Sequence, residues 1–169
     1  MSSDIQEAMI QLAAAQSPKR RSAAKRLRRM GNSEAGPSVL AALEKEVKDP
    51  RTWETQYQLI MAIGECRHMA ALPFIERLAA SNIEATMVYV ALGDAIVRLS
   101  RTSENDATPV LNILRRSNNT MLIDGALRAM AMLRMVPTPE AMREILAYAG
   151  QLTPADPLRF WVAAAAPGW

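Results

Sequence analysis

One triplet returns at a fixed interval along this 169-residue chain: Ala35-Gly36-Pro37, Ala71-Leu72-Pro73 and Ala107-Thr108-Pro109. The prolines lie 36 residues apart at both steps. A constant period between about 20 and 50 residues marks stacked supersecondary units, each too small to bury its own apolar face. The same step superimposes apolar positions on both sides of the triplet. After it, Ser38, Phe74, Val110 and Leu146 coincide, as do Val39, Ile75, Leu111 and Ala147, and then Ala42, Leu78 and Leu114. Before it, Ala23, Leu59, Ala95 and Ala131 coincide, then Ala24, Ile60, Ile96 and Met132, then Leu27, Ile63, Leu99 and Met135. Offsets of one and four residues trace a single stripe of a helix. Each unit is therefore expected to be a pair of amphipathic helices.

Polar links punctuate the pairs. Gly31-Asn32-Ser33, Gly64 to His68 and Ser103 to Asp106 fall within units, while Lys48-Asp49-Pro50, Ser81-Asn82 and Ser117 to Thr120 fall between them. A proline at the first turn of the second helix loses no intrahelical hydrogen bond, and its fixed φ suits that turn. The small alanine two positions earlier lets the corner approach the first helix. Composition agrees with helices, being rich in Ala, Leu and Met and only 5% aromatic. The fold expected is all-α, a right-handed α-solenoid of about four to five helical hairpins. Residues 1–16 are expected to form an N-terminal capping helix. Four repeats follow at 17–49, 50–81, 82–117 and 118–151, and 152–169 is expected to be a C-terminal half-repeat, serving as cap or partner-binding segment.

The stretch from Gly31 through Ala35-Gly36-Pro37 to Leu40, with its two echoes, resembles HEAT repeats. It is most similar to the short branch named after phycobilisome lyases, and Arg20-Arg21-Ser22-Ala23-Ala24 resembles the Arg-Ala-Ala opening of that branch's first helix. The resemblance spans roughly residues 17 to 151. It weakens in the fourth unit, where Pro137-Thr138-Pro139 takes the place of the triplet. Tetratricopeptide repeats are the nearest rival, but their Trp, Leu-Gly-Tyr and Ala positions are not filled.

A single cysteine excludes an internal disulfide framework, and Asp4 and Glu7 stand where a signal peptide needs positive charge. The most apolar run, Met87 to Leu99, is interrupted by Asp94. A cytoplasmic protein without a membrane segment is expected.

Charge is unevenly placed. Residues 1–30 hold seven Lys/Arg against two acids, a balance of +5, and the remainder holds thirteen against fifteen. On a helix, Ala23, Ala24, Leu27 and Met30 turn inward. Arg21, Lys25, Arg28 and Arg29 share the outer side, with Arg26 flanking and Arg20 at the start of the ridge. Such a ridge attracts phosphate backbones or acidic surfaces. Its bland alternative is a solvated face near Glu44 and Glu46, since no aromatic residue is interleaved with it in sequence. DNA glycosylases form one HEAT-like branch that binds duplexes through basic surfaces, so nucleic acid is the alternative partner that the resemblance implies.

Other candidates are weaker. Cys66 and His68 form a C-x-H pair beside Glu65 with no second pair to complete a metal site. Asp94 and Asp124 sit beside Gly93 and Gly125 inside apolar helices, where carboxylates need partners such as Arg98 or Arg128. The lyase resemblance offers a bilin-binding acid as their functional alternative. Met121, Met130, Met132 and Met135 suit core packing or an adaptable binding surface. Phe160 and Trp161 either close the last unit, offer a patch to a partner or a second copy, or mark a truncated longer chain.

No Gly-rich phosphate loop, metal set or Ser/His/Asp arrangement is visible, so no catalytic, cofactor or metal residue is expected. A non-enzymatic scaffold or adaptor is expected to hold another protein of unknown identity in a groove lined by second helices. Helical phase points to Glu44, Lys48, Arg77, Asn112 and Arg116 as its contacts, with Phe160 and Trp161 at the end. A tetrapyrrole-handling enzyme is the remaining alternative.

Overall fold

The computed structural model describes residues 3–169, and these form ten α-helices, four short 3₁₀ turns and no strand. The helices are α1 (Ser3–Gln11), α2 (Ser17–Met30), α3 (Gly36–Glu46), α4 (Trp53–Glu65), α5 (Leu72–Ala79), α6 (Met87–Ser100), α7 (Thr108–Arg116), α8 (Thr120–Met132), α9 (Pro139–Gln151) and α10 (Leu158–Ala165). Pro37, Pro73 and Pro109 all stand in the first turn of α3, α5 and α7, where the missing N–H costs nothing. Three alanines, Ala35, Ala71 and Ala107, are buried at the corners before them.

Packing follows a simple order. Helix α2 lies on α4, α4 on α6, α6 on α8, and α8 on α10, while α1 covers the free side of α2. The intervening helices α3, α5 and α7 each pack on the long helix that follows, and α9 packs on α7 and α10. Leu27, Ile63 and Leu99 are fully buried at one position of the 36-residue step, and Ala23, Leu59 and Ala95 at another. Each large aliphatic chain so placed contributes about 1.5–3 kcal/mol.

The fourth pair breaks the step. Helices α4 and α8 begin at 53 and 120 and end at 65 and 132, an offset of 67 rather than twice 36. Their C-termini share one device: Arg67 and Arg134 both adopt φ of 52°, and His68 N–H and Met135 N–H donate back to Ile63 O and Met130 O. This left-handed cap carries Met135 into the core as the residue beyond the cap. Met132, expected inside, is instead 57% exposed, because it corresponds to Glu65 and not to Ile96. Leu146 and Ala147 are exposed for the same reason, and Ile145 fills the core in their place. Met30 also departs from expectation and is partly exposed. Gly64 and Glu65 were expected in a link and instead close α4.

Helices α6 and α8 cross at two glycines. A Cβ on Gly93 would fall on the carbonyl oxygen of Leu122, and one on Gly125 on that of Val90. Backbones this close admit no side chain at either position.

Candidate functional site

Three features are assembled by this packing, one buried and two open to solvent. The first is a buried ionic chain. Asp94 on α6 is fully buried and accepts from Arg98 Nε at 2.5 Å and from Arg128 on α8. Arg98 Nη1 reaches Glu65 Oε2 on α4 at 3.0 Å. The Arg128 guanidinium lies 5.9 Å from the ring centroid of Trp161 on α10, and Trp161 Nε1 donates to Asp124 Oδ1 at 2.9 Å. Burial raises the Asp124 carboxyl above its ordinary range, partly offset by the Trp161 N–H and by Arg128. Consecutive long helices are thus linked by charge as well as by apolar contact. Asp94 finds both arginine partners that sequence suggested, whereas Asp124 is held by the Trp161 indole and forms no ion pair among the described residues.

The second feature is a groove of about 990 Å³ between α5 and α7. Helix α7 packs on α9, but α5 and α7 make no comparable contact, so the floor between them is the flank of α6 and α8. Ile96 of α6 and Leu122 of α8 lie there, Ile113 of α7 adds an apolar wall, and Glu76, Asp106 and Arg116 also line the groove. Helix α5 ends early, and the strand of chain after it is pinned by Tyr89, whose hydroxyl donates to Ser81 O at 2.6 Å and accepts from Ile83 N–H at 3.0 Å. Burial opposes the charge on Asp106, yet N–H and hydroxyl donors from Thr102 and Thr108 hold its carboxyl down to about 2.

Of the contacts expected from helical phase, Asn112 and Arg116 line this groove. Arg77 turns away and lies over the Phe74 ring at 5.9 Å, leaving Glu76 to face the groove. Glu44 and Lys48 are exposed on and just beyond α3 and line no groove; their neighbours Lys45 and Glu46 are among the residues lining a separate hollow of about 450 Å³. The groove was missed because Ile96 belongs to a first-helix stripe that sequence phase turns toward the core, and Leu122 falls on no repeated position.

The third feature is the basic side of α2. Arg20 is withdrawn from it, gripping Glu46 through Nε at 2.6 Å and Nη2 at 2.9 Å and donating to Ala14 O and Ala15 O. Glu46 is buried, and against that cost Arg20 and Ser17 hold its carboxyl below the ordinary range. Arg21 pairs with Glu54, and Arg26 with Glu7. Lys25 and Arg29 are exposed and form no ion pair among the described residues, and Arg28 donates only to Gln58 Oε1 at 3.3 Å.

The remaining candidates are structural. Cys66 is buried, and burial pushes its thiol up to about 11, far from a thiolate nucleophile. His68 packs against Gly36, where a Cβ would come within 2.6 Å of the histidine's own Cβ. At the C-terminus, Trp161 is half-buried in the ionic chain and Trp169 Nε1 donates to Met135 O at 3.0 Å, whereas Phe160 is 63% exposed. Among the described residues no cluster of three or more His, Cys, Asp or Glu is placed to hold a metal ion, and no helix is long and apolar enough to cross a membrane. No family model matches this chain, and no curated protein or solved structure is significantly similar to it.

Proposed function

We propose that this chain is a non-enzymatic cytoplasmic adaptor, a right-handed solenoid of HEAT-like hairpins that holds a segment of another protein between its second helices. Support for the solenoid comes from the serial packing of α2, α4, α6, α8 and α10, with a second helix returning after each of the first four. Support for binding rests on one observation, the open groove between α5 and α7. Its lining includes Ile96, Ile113 and Leu122, with acids at Glu76 and Asp106 and a cation at Arg116, and no element among the described residues fills it. A helical or extended segment that lays apolar side chains on Ile96, Ile113 and Leu122 while pairing a basic residue with Asp106 fits that chemistry.

A photo-crosslinking amino acid placed at Asn112 in the source cell tests this directly. We expect one protein to be captured from Asn112, absent from a control position at Glu140 on α9, and lost when Ala80→Arg narrows the groove. Identical adducts from Asn112 and Glu140, or capture indifferent to Ala80→Arg, would overturn the assignment.

A further inference from the structure

The basic side of α2 acquires in three dimensions what it lacks in sequence, an aromatic partner. Trp53 and Tyr57, on the first turns of α4, line a hollow together with Arg21 and Lys25. Trp53 keeps 38% of its surface exposed at the N-terminus of its helix. A second, larger hollow of about 590 Å³ continues from the first, sharing Lys25 and Gln58 and ending at Arg28, Arg29 and Glu65. The two form one furrow along the seam of α2 and α4. From Trp53 to Glu65 it follows thirteen residues of helix, a run of about 20 Å.

The charge balance of this furrow is one-sided. Its two acids are already engaged, Glu54 by Arg21 and Glu65 by Arg98. Lys25 and Arg29 have no ionic partner among the described residues. Further cations lie beyond the furrow, next to Arg98. Arg101, at the end of α6, has a buried Nε with no hydrogen-bond partner, and burial followed by the nearby charges of Arg67 and Arg98 depresses its pKa. Like charges crowded in this way favour an incoming anion, because each one gained relieves repulsion as well as forming a new pair.

We propose that the furrow between α2 and α4 binds single-stranded nucleic acid, with Trp53 stacking on a base and Lys25, Arg28 and Arg29 receiving successive phosphates. An exposed ring at one end and guanidinium forks at the other match the alternation of base and phosphate along an unpaired strand. A duplex buries its base faces and would leave Trp53 without a role. The carboxylates of an acidic peptide offer no flat partner for the ring, and the flat surface of a bilayer does not follow a recess between two helices. The furrow shares no lining residue with the α5–α7 groove, and its proposal stands independently of the groove's.

Fluorescence anisotropy of a labelled twelve-residue oligothymidylate, titrated with the whole chain, is the test. With about three phosphates neutralised, affinity is expected to fall about 20-fold between 50 and 200 mM salt. Trp53→Ala is expected to weaken binding about tenfold and Trp53→Phe to restore most of it. The paired change Lys25→Glu and Arg29→Glu, at exposed positions with no effect on the thermal midpoint, is expected to weaken binding at least tenfold. The proposal is overturned if polyglutamate, a duplex of the same length or phosphatidylserine vesicles compete as well as unlabelled oligothymidylate. Binding indifferent to both the Trp53→Ala change and the paired charge reversal would overturn it too.

Discussion

Arg128 of α8 reaches across the helix crossing to the carboxylate of Asp94, which Arg98 of its own helix already holds. One fully buried acid therefore serves two arginines and ties α6 to α8. A buried pair adds little over a well-packed apolar substitute, but removing one partner leaves an uncompensated charge. Asp94→Asn is expected to lower stability by about 3–5 kcal/mol in a denaturant titration. A loss under 1 kcal/mol would mean that water reaches the arginines.

The two glycines at the same crossing make a steric prediction. Gly93→Ala sets a Cβ against the Leu122 carbonyl, which belongs to backbone and cannot rotate aside. A loss above about 2 kcal/mol is expected, since α6 and α8 must separate. Gly150, near the end of α9, has open space around it, so Gly150→Ala is expected to gain about 0.5–1 kcal/mol. Equal responses from the two variants would contradict the close crossing.

The C-terminal helix divides its aromatic residues between two roles. Trp161→Ala removes a half-buried ring and leaves Asp124 without its indole donor, with an expected cost of about 2–3 kcal/mol in thermal or chemical unfolding. Phe160→Ala is expected to change stability by less than about 0.5 kcal/mol, because that ring faces solvent. Comparable costs for the two would show that the pair packs otherwise.

Acid should loosen the loop that borders the α5–α7 groove. The folded Asp106 carboxyl sits near 2, below its ordinary 3.8, so the native state binds fewer protons there than the unfolded chain. Its contribution is complete above about pH 4 and is lost as pH falls from about 4 to 2. Asp106→Asn is expected to cost roughly 1 kcal/mol at pH 7 after solvent screening, and to flatten the acid limb of the stability profile. An unchanged acid limb would place the titration elsewhere.

Helix positions were legible in sequence wherever period and chemistry agreed. The three triplet prolines, Leu27, Ile63 and Leu99 lie where a 36-residue step and helical phase put them. The step failed in the fourth pair because Met135 matches Leu99 in burial for a different reason. Met135 lies beyond a left-handed cap at Arg134, and a chance coincidence of spacing hid a shortfall of five residues accumulated over the two units from α4 to α8. A non-glycine residue in that conformation leaves no sequence signal as plain as Gly31 does.

The candidate surfaces were less legible, since they depend on which helices lie side by side. Arg20 looked like part of an exposed ridge, but Glu46, distant in sequence, turns it inward. Trp53 follows Arg21 by 32 residues, and only the packing of α2 on α4 brings ring and cations to one furrow. The groove is a gap, and a gap is a property of helices that fail to meet; no single stretch of sequence encodes it.

Spin labels in the first turns of the long helices test the serial order of those helices most directly. With Cys66→Ser as background, pairs of labelled cysteines at Lys19, Glu54, Met87 and Thr120 would be measured by pulsed dipolar spectroscopy. We expect distances to grow by about 10 Å for each helix passed, so that the Lys19–Thr120 pair is the longest. A Lys19–Thr120 distance as short as that of adjacent pairs would mean that the helices close on themselves, contradicting a stacked repeat.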